Sequence, residues 1–304
     1  MTISPSLLLQ AAADAAGSQQ FPRGALYVLA TPIGNLADMS LRAIHLLSLV
    51  DAVACEDTRV TGRLLQHLGL HKPLIALHEH NELSAAPQVL ARLAAGQRVA
   101  YASDAGTPAV SDPGAALVAA TVAQGHAVVP LPGASSVVTA LCAAGDAAAA
   151  GFCFHGFLPA KGQERRDALL AVLALPGSQV LFEAPHRIAA LLALLAEAAP
   201  ARRLTVCREL TKQFEQIHTL PAGDAPAWLA ADVQRTRGEF VLVLHAAPPA
   251  AAREEDPLPA EAERVLGLLL RELPLKQAVA LATEISGAPR NALYTRALTL
   301  RQAK

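Results

Sequence analysis

Two carboxylates, two serines and a Gly-Thr-Pro turn crowd into the twelve residues from Ser103 to Gly114, S-D-A-G-T-P-A-V-S-D-P-G. Hydroxyls and carboxylates on a stiff, glycine-bearing loop make a surface that holds a polar small molecule by side chains and main-chain amides together. The loop follows the apolar run R-V-A-Y-A at 98–102 and precedes an Ala/Leu/Val helix pattern. That places it at the carboxyl end of a strand, where open α/β sheets bind ligands. Two more loops have the same setting: T-P-I-G-N-L-A-D at 31–38 and P-G-A-S-S at 132–136. In a parallel sheet all three leave the same edge, so Gly34, Gly106 and Gly133 let the backbone approach one shared ligand. Taken singly, each reads equally well as a tight turn.

The expected ligand-holding residues are Pro32, Gly34 and Asn35 of the first loop, Ser103, Asp104, Ala105, Gly106, Pro108, Ser111 and Asp112 of the second, and Pro132, Gly133 and Ser135 of the third. The first loop lacks G-x-G-x-x-G, and no G-x-x-x-x-G-K-[ST] occurs anywhere, which argues against NAD and ATP. A ligand without phosphates fits better. S-adenosylmethionine is one, since its adenine, ribose and methionine ends each take main-chain amides, hydroxyls or carboxylates.

Groups able to move a proton lie in three further clusters. Glu56 and Asp57 precede Thr58 and Arg59, an arrangement that also reads as an acidic helix N-cap. Glu183, His186 and Arg187 follow one strand pattern, and Arg208, Glu209 and Lys212 follow the next; ion pairs between surface loops are the plainer reading. Glu56, Glu183, or a Lys212 of depressed pKa is the expected base. Lys161, Arg187 and Arg208 match phosphodiester oxygens better than they match catalysis, and Arg59, Arg165, His186, Arg290 and Arg296 join them as candidate nucleic-acid contacts. His78 and His80 flank Glu79 with no third ligand at suitable spacing, so no metal is expected. With aromatic residues at 4% of the chain, base stacking falls to few groups, such as Phe154, Phe157 or Tyr294.

These loops need strands and helices to present them. From Ala25 the patterns alternate strictly: strands near 25–30, 51–55, 74–77, 98–102 and 127–131 are separated by single helices, which implies a parallel sheet covered on both faces. After 146–151, a linker by composition, the second half changes character. Strands at 204–208, 214–220 and 239–244 follow with only one short helix, so this sheet is mixed. Expected domains are a loose tail at 1–24, a ligand-binding α/β domain at 25–145, a second α/β domain at 151–247 and a helical module at 258–304. In that module a helix, a Gly-containing turn at 286–289 and a second helix from Arg290 have helix-turn-helix spacing. Basic residues exceed acidic ones by four between 271 and 304. The whole chain of 304 residues carries a net charge of −1, too little for a globally basic nucleic-acid binder. Its four scattered cysteines read as reduced core thiols, no apolar run reaches membrane-spanning length, and the start lacks a signal-peptide pattern.

Read in order, T-P-I-G-N-L-x-D, C-E-D-T-R, L-H-E-H-N-E, S-D-A-G-T-P-x-x-S-D-P-G, P-L-P-G, G-F-L-P-x-K, E-x-P-H-R, R-E-L-T-K and G-E-F-V-L-V resemble the bacterial 16S ribosomal RNA cytidine 2′-O-methyltransferases of the tetrapyrrole methylase superfamily. The likeness spans about residues 25 to 300, with Ala184 where that family commonly has Ser. It implies a two-domain α/β fold with a helix-turn-helix-like tail, S-adenosylmethionine in the cleft between domains, a homodimer in the cytoplasm, and 16S ribosomal RNA of the 30S subunit as substrate. Two alternatives stay open: a precorrin or uroporphyrinogen C-methyltransferase, and a nonenzymatic helix-turn-helix binder of nucleic acid.

Overall fold

A computed structural model describes residues 4–78, 81–247 and 258–302. They fall into two compact units that divide after Ala246. The first opens with helix α1 (Pro5–Ala16), then alternates β1 (Ala25–Leu29), α2 (Leu41–Leu49), β2 (Ala52–Cys55), α3 (Thr58–His67), β3 (Leu74–Ala76), α4 (Glu82–Ala94), β4 (Val99–Ala102), α5 (Ala115–Ala123) and β5 (Ala127–Leu131). Helix α6 (Ser136–Ala144) leads to β6 (Phe152–Phe157), α7 (Gly162–Ala174), β7 (Ser178–Glu183), α8 (Ile188–Ala198), β8 (Arg203–Arg208), β9 (Gln216–Pro221), α9 (Ala225–Ala230) and β10 (Phe240–Leu244).

The first sheet is parallel, in the order β3-β2-β4-β1-β5. Its strands alternate between two cores, as the two-residue period requires. On β4, Ala100 and Ala102 face α1, α2 and α3, whereas Val99 and Tyr101 face α4 and α5. Because β1 lies between β4 and β5, the loops leaving these three strands are neighbours. The second sheet, β6-β7-β10-β8-β9, is mixed as expected: β6 and β7 run parallel, and β10 is antiparallel to both β7 and β8. Phe240, Leu242 and Leu244 of β10 point to α7, α8 and α9. Val241 and Val243 point the other way, onto Val137, Ala140 and Ala144 of α6. Helix α6 thereby joins the sheets through one apolar layer.

Two segments differ from the expectation drawn from composition. The loose tail is instead largely helix α1, capped by Ser4 and packed on α2 through buried Ala12 and Ala16. Alanine-rich polar surroundings hid that face, which is narrow. The linker at 146–151 is pinned: the Asp146 carboxylate accepts hydrogen bonds from Ser178 Oγ (2.7 Å) and from the amide of Ala246 (2.6 Å). Those partners lie 32 and 100 residues away, beyond the reach of any local pattern.

The second unit holds α10 (Ala260–Glu272), α11 (Leu275–Ser286) and α12 (Arg290–Gln302) around Leu266, Val279, Ala282, Leu293 and Ala297. Gly287, in the left-handed conformation, ends α11 and turns the chain into α12, so the expected helix-turn-helix pair is present with α10 packed on it. Residues 248–257, which precede it, lie outside the described residues.

Candidate functional site

The three loops meet. Thr31 and Gly106 exchange backbone hydrogen bonds of 2.8 and 3.0 Å, Thr31 Oγ1 donates to the carbonyl of Ser103 (3.1 Å), and Thr107 Oγ1 donates to the carbonyl of Ala134 (3.1 Å). Glycine is needed at the crossing points. A Cβ on Gly106 would lie 3.3 Å from Ile33, and one on Gly133 would lie 2.9 Å from the Ala30 side chain. The second loop also holds Ala109 and Ser111 at φ of 63°, a left-handed conformation that costs non-glycine residues energy and clusters at functional sites.

Above this rim the inner face of the second sheet closes a cavity of about 410 Å³. The first half contributes Ala105, Gly106, Ser111, Asp112 and Ser135 to its wall, and the second contributes Phe157, Phe182, Glu183, Leu210 and Glu239. The halves also touch directly at two points. Gly34 lies against the stem of Lys212, and a Cβ on Gly156 would lie 3.0 Å from Ser111 Oγ. Gly34 has φ of 146°, so Gly34→Ala both strains the backbone and pushes Lys212 away. We expect that variant to keep its far-ultraviolet circular dichroism but to bind cofactor about tenfold more weakly by calorimetry, roughly 1.4 kcal/mol.

Carboxylates gather beneath the second loop. Burial, then the charge of Glu56, pushes Asp112 up to about 6, against an opposing hydrogen bond from Ser103. Glu56 is itself raised, by burial and then by Asp104, and Asp104 is raised chiefly by burial. Asp104 Oδ1 accepts from the amide of Asp57 (3.0 Å), tying the loops after β2 and β4. Glu82 Oε1 accepts from the amides of Gly114 and Leu117, both at 3.0 Å, and so caps α5 and fixes the loop's far end. The Tyr101 hydroxyl is buried among these acids without a hydrogen-bond partner among the described residues. Burial, followed by the charges of Glu56, Glu82 and Asp112, holds its phenol well above the usual range.

Of the three expected bases, Glu56 is not among the residues that line the cavity and acts on Asp112 by its charge. Glu183 does border the cavity, but its oxygens are engaged by Arg165 (2.6 Å), by Arg187 (2.9 Å) and by the amide of Ala184 (2.9 Å). Lys212 binds Glu209 and Glu239, each at 2.9 Å. Burial pulls its ammonium down, yet those two carboxylates outweigh burial and leave the pKa raised, which corrects the expectation of a depressed one.

Three expected phosphate-holding arginines are likewise turned inward. Arg208 is buried and donates to the carbonyls of Phe214, Gln234 and Arg237. Arg187 donates to those of Leu158 and Pro159, and Arg165 to that of Ala160 besides Glu183. They hold the second-half loops in place. Lys161 and His186 are exposed, and Arg59 is exposed but paired with Asp57 at 2.5 Å. Arg290 is exposed in the helical unit, where Arg296 pairs with Glu263.

Among the expected ligand-holding residues, Pro32, Ser103 and Asp104 face a second depression on the far side of the loops. Asn35 caps the short turn that follows it, Pro108 is buried, and Pro132 is exposed. Phe182, Leu210 and Glu239 escaped the reading of the sequence as cavity residues. Glu239 stands in G-E-F-V-L-V, where only the strand pattern drew notice. His80 and Glu79 lie outside the described residues; among the described ones no group of three or more His, Cys, Asp or Glu side chains is placed to hold a metal ion.

A parallel sheet and a mixed sheet facing each other across a loop-built cavity define a methylase fold, and the chain belongs to the Tetrapyrrole (Corrin/Porphyrin) Methylases, whose family model matches residues 25–226. Residues 256–301 match the RsmI C-terminal HTH domain. More particularly, the chain is 49% identical over 91% of its length to a ribosomal RNA small subunit methyltransferase I of Escherichia coli O157:H7, of which it covers 95%. It is 48% identical over 92% of its length to the protein of the same name from Pseudomonas aeruginosa, covering 99% of that one. Among solved structures, the uroporphyrin-III C-methyltransferase from Thermus thermophilus complexed with S-adenyl homocysteine shares the fold, with a TM-score of 0.51 and 16% identity over 72% of this chain and 96% of that one.

Proposed function

We propose that this methyltransferase uses S-adenosylmethionine to methylate the ribose 2′-hydroxyl of a cytidine in 16S ribosomal RNA of the 30S subunit, acting as a homodimer in the cytoplasm. The observation that carries the chemistry is the convergence of three glycine-bearing loops beneath a cavity with Asp112 on its wall. The choice of ribosomal RNA rests on the relatives at 48 to 49% identity and on the matching C-terminal helical unit.

The cavity fits the cofactor. Its rim needs glycine where a Cβ would collide, its wall mixes apolar side chains with Ser111, Ser135 and Asp112, and no cationic side chain faces it from the described residues. S-adenosylmethionine supplies a methyl group on a sulfonium. Amides of the 103–108 and 132–136 loops, with Ser135, would hold its polar ends. Holding the cofactor by those ends would spare the sulfonium a tight counter-anion, which would favour the ground state over the transition state. Asp112 accepts the proton that the attacking hydroxyl loses, with a pKa near the working pH, as efficient base catalysis asks. Glu56 supplies the negative charge that keeps Asp112 basic, and Glu183 with Arg165 and Arg187 fixes the opposite wall. Phe157, over half exposed at 55%, presents an aromatic surface to the entering nucleotide.

Incubation with labelled S-adenosylmethionine and 30S subunits from cells lacking this gene tests the reading. We expect label on a cytidine ribose of 16S RNA, resistant to alkaline cleavage at that linkage. Transfer to a base, to a precorrin, or to nothing would overturn it.

A further inference from the structure

Behind the partition made by the first two loops lies a second depression, of about 230 Å³. Thr31, Pro32 and Leu36 form one side, Ser103 and Asp104 the floor, and Val60, Leu64, Arg63 and His67 of α3 the other side. The loops that face the methylation cavity with Ile33, Ala105 and Gly106 thus face this groove with their other surfaces.

The charge on the groove's rim is distinctive. Helix α3 carries Arg59, Arg63 and His67 and no acidic residue. Their spacing of four puts them on one face, about 6 Å apart along the axis. Arg59 is neutralised by Asp57. Arg63 and His67 are exposed and form no ion pair among the described residues, so the Arg63 guanidinium charge and the His67 ring nitrogens are available to a partner. Between them and the loops, Val60, Leu64, Leu36 and Pro32 offer apolar walls, while the Asp104 carboxylate makes the floor polar. Apolar walls, a polar floor and a cationic rim match one nucleotide: a base edge-on to the floor, with its phosphate on the guanidinium.

We propose that this groove holds a nucleotide flanking the methylated one on the same RNA strand, with Arg63 and His67 on its phosphates. The inference rests on the function proposed above and names residues which that reading does not require. One strand passing over the partition would set the target ribose in the cavity while its neighbour is clamped in the groove. The clamp would then help choose the site, because single-stranded RNA is recognised by unstacked bases and positioned by its phosphates.

The test uses the full chain, unmodified 30S subunits and the variants Arg63→Glu, Arg63→Ala and Arg63→Lys. Arg63 is on the surface, so these variants keep the fold. Arg63→Glu is expected to raise KM for 30S subunits tenfold or more, with cofactor affinity by calorimetry as in the parent protein. Arg63→Ala should lower the slope of log(1/KM) against log salt by about one, the loss of one phosphate contact. Arg63→Lys should restore most of the affinity. A KM for Arg63→Glu within twofold of the parent overturns the proposal, as does a parallel loss of cofactor binding, which would assign the groove to the cofactor. If the parent protein methylates no 30S subunit, the proposed function fails instead, and that outcome is read before any variant is compared.

Discussion

Replacing Asp112 by Asn is expected to slow methyl transfer about 10²- to 10⁴-fold, the usual worth of a positioned general base, while making the protein more stable at neutral pH. The two effects have one origin. Asp112 borders the cavity, and burial together with Glu56 holds its pKa at about 6. A carboxyl whose folded pKa lies above its unfolded value takes up its proton more readily in the folded chain. Its favourable contribution is therefore complete below the unfolded value near 4 and is lost as pH rises through about 6. At pH 7 the parent protein carries the cost of a charged, half-buried Asp112 beside Glu56. Asparagine keeps the shape and removes that cost. Thermal unfolding at pH 7 should show a higher Tm for Asp112→Asn, with the difference shrinking toward pH 4. In the parent, kcat/KM should rise with pH through about 6 and then level off. A variant that lost stability at pH 7, or kept full activity, would remove Asp112 from the role of base.

The second large effect is on stability. Glu183 has a fully buried side chain that neutralises Arg165 and Arg187 at 2.6 and 2.9 Å. Glu183→Gln leaves two guanidinium groups in low-dielectric surroundings with no counter-charge. Breaking a buried pair from one side costs about 3–5 kcal/mol. For a unit of this size we expect a fall in Tm of roughly 6–20 °C. Activity should fall as well, because Arg187 and Ala184 would release the cavity wall, and low temperature should restore part of it. Were Glu183 the base instead, Glu183→Gln would be inactive yet nearly as stable as the parent. Differential scanning calorimetry beside methyl-transfer assays separates the two.

Almost every strand and helix was legible in the sequence, because each carries its own periodicity and the loops carry glycine, proline and capping residues. The antiparallel part of the second sheet was legible for a similar reason: strands 8, 9 and 10 follow one another without the long crossover a parallel pair needs. Helix α1 was missed. Its buried face is two alanines, Ala12 and Ala16, against a run where alanine is everywhere, so no stripe stands out.

For the site, residue types alone marked the three loops as partners, and their mutual hydrogen bonds bear that out. Their chemistry was harder to assign. Glu183, Arg187 and Arg208 look in sequence like exposed charges after strands, ready for substrate. Folding turns Glu183 onto Arg165, 18 residues away, and Arg187 and Arg208 onto main-chain carbonyls 28 and 29 residues away, and spends them on the scaffold. Asp112 looked like one more polar residue of a ligand loop.

The order of amino acids by itself determined the elements, the shared rim and the class of enzyme, since these follow from local periodicity, turn chemistry and motifs read along the chain. Only the tertiary structure decided which carboxylates border the cavity, which of them is locked in ion pairs and which lends its charge without lining it. Those roles depend on burial and on distances between groups such as Glu56 and Asp112, which are set by how the loops pack and by nothing local to either residue.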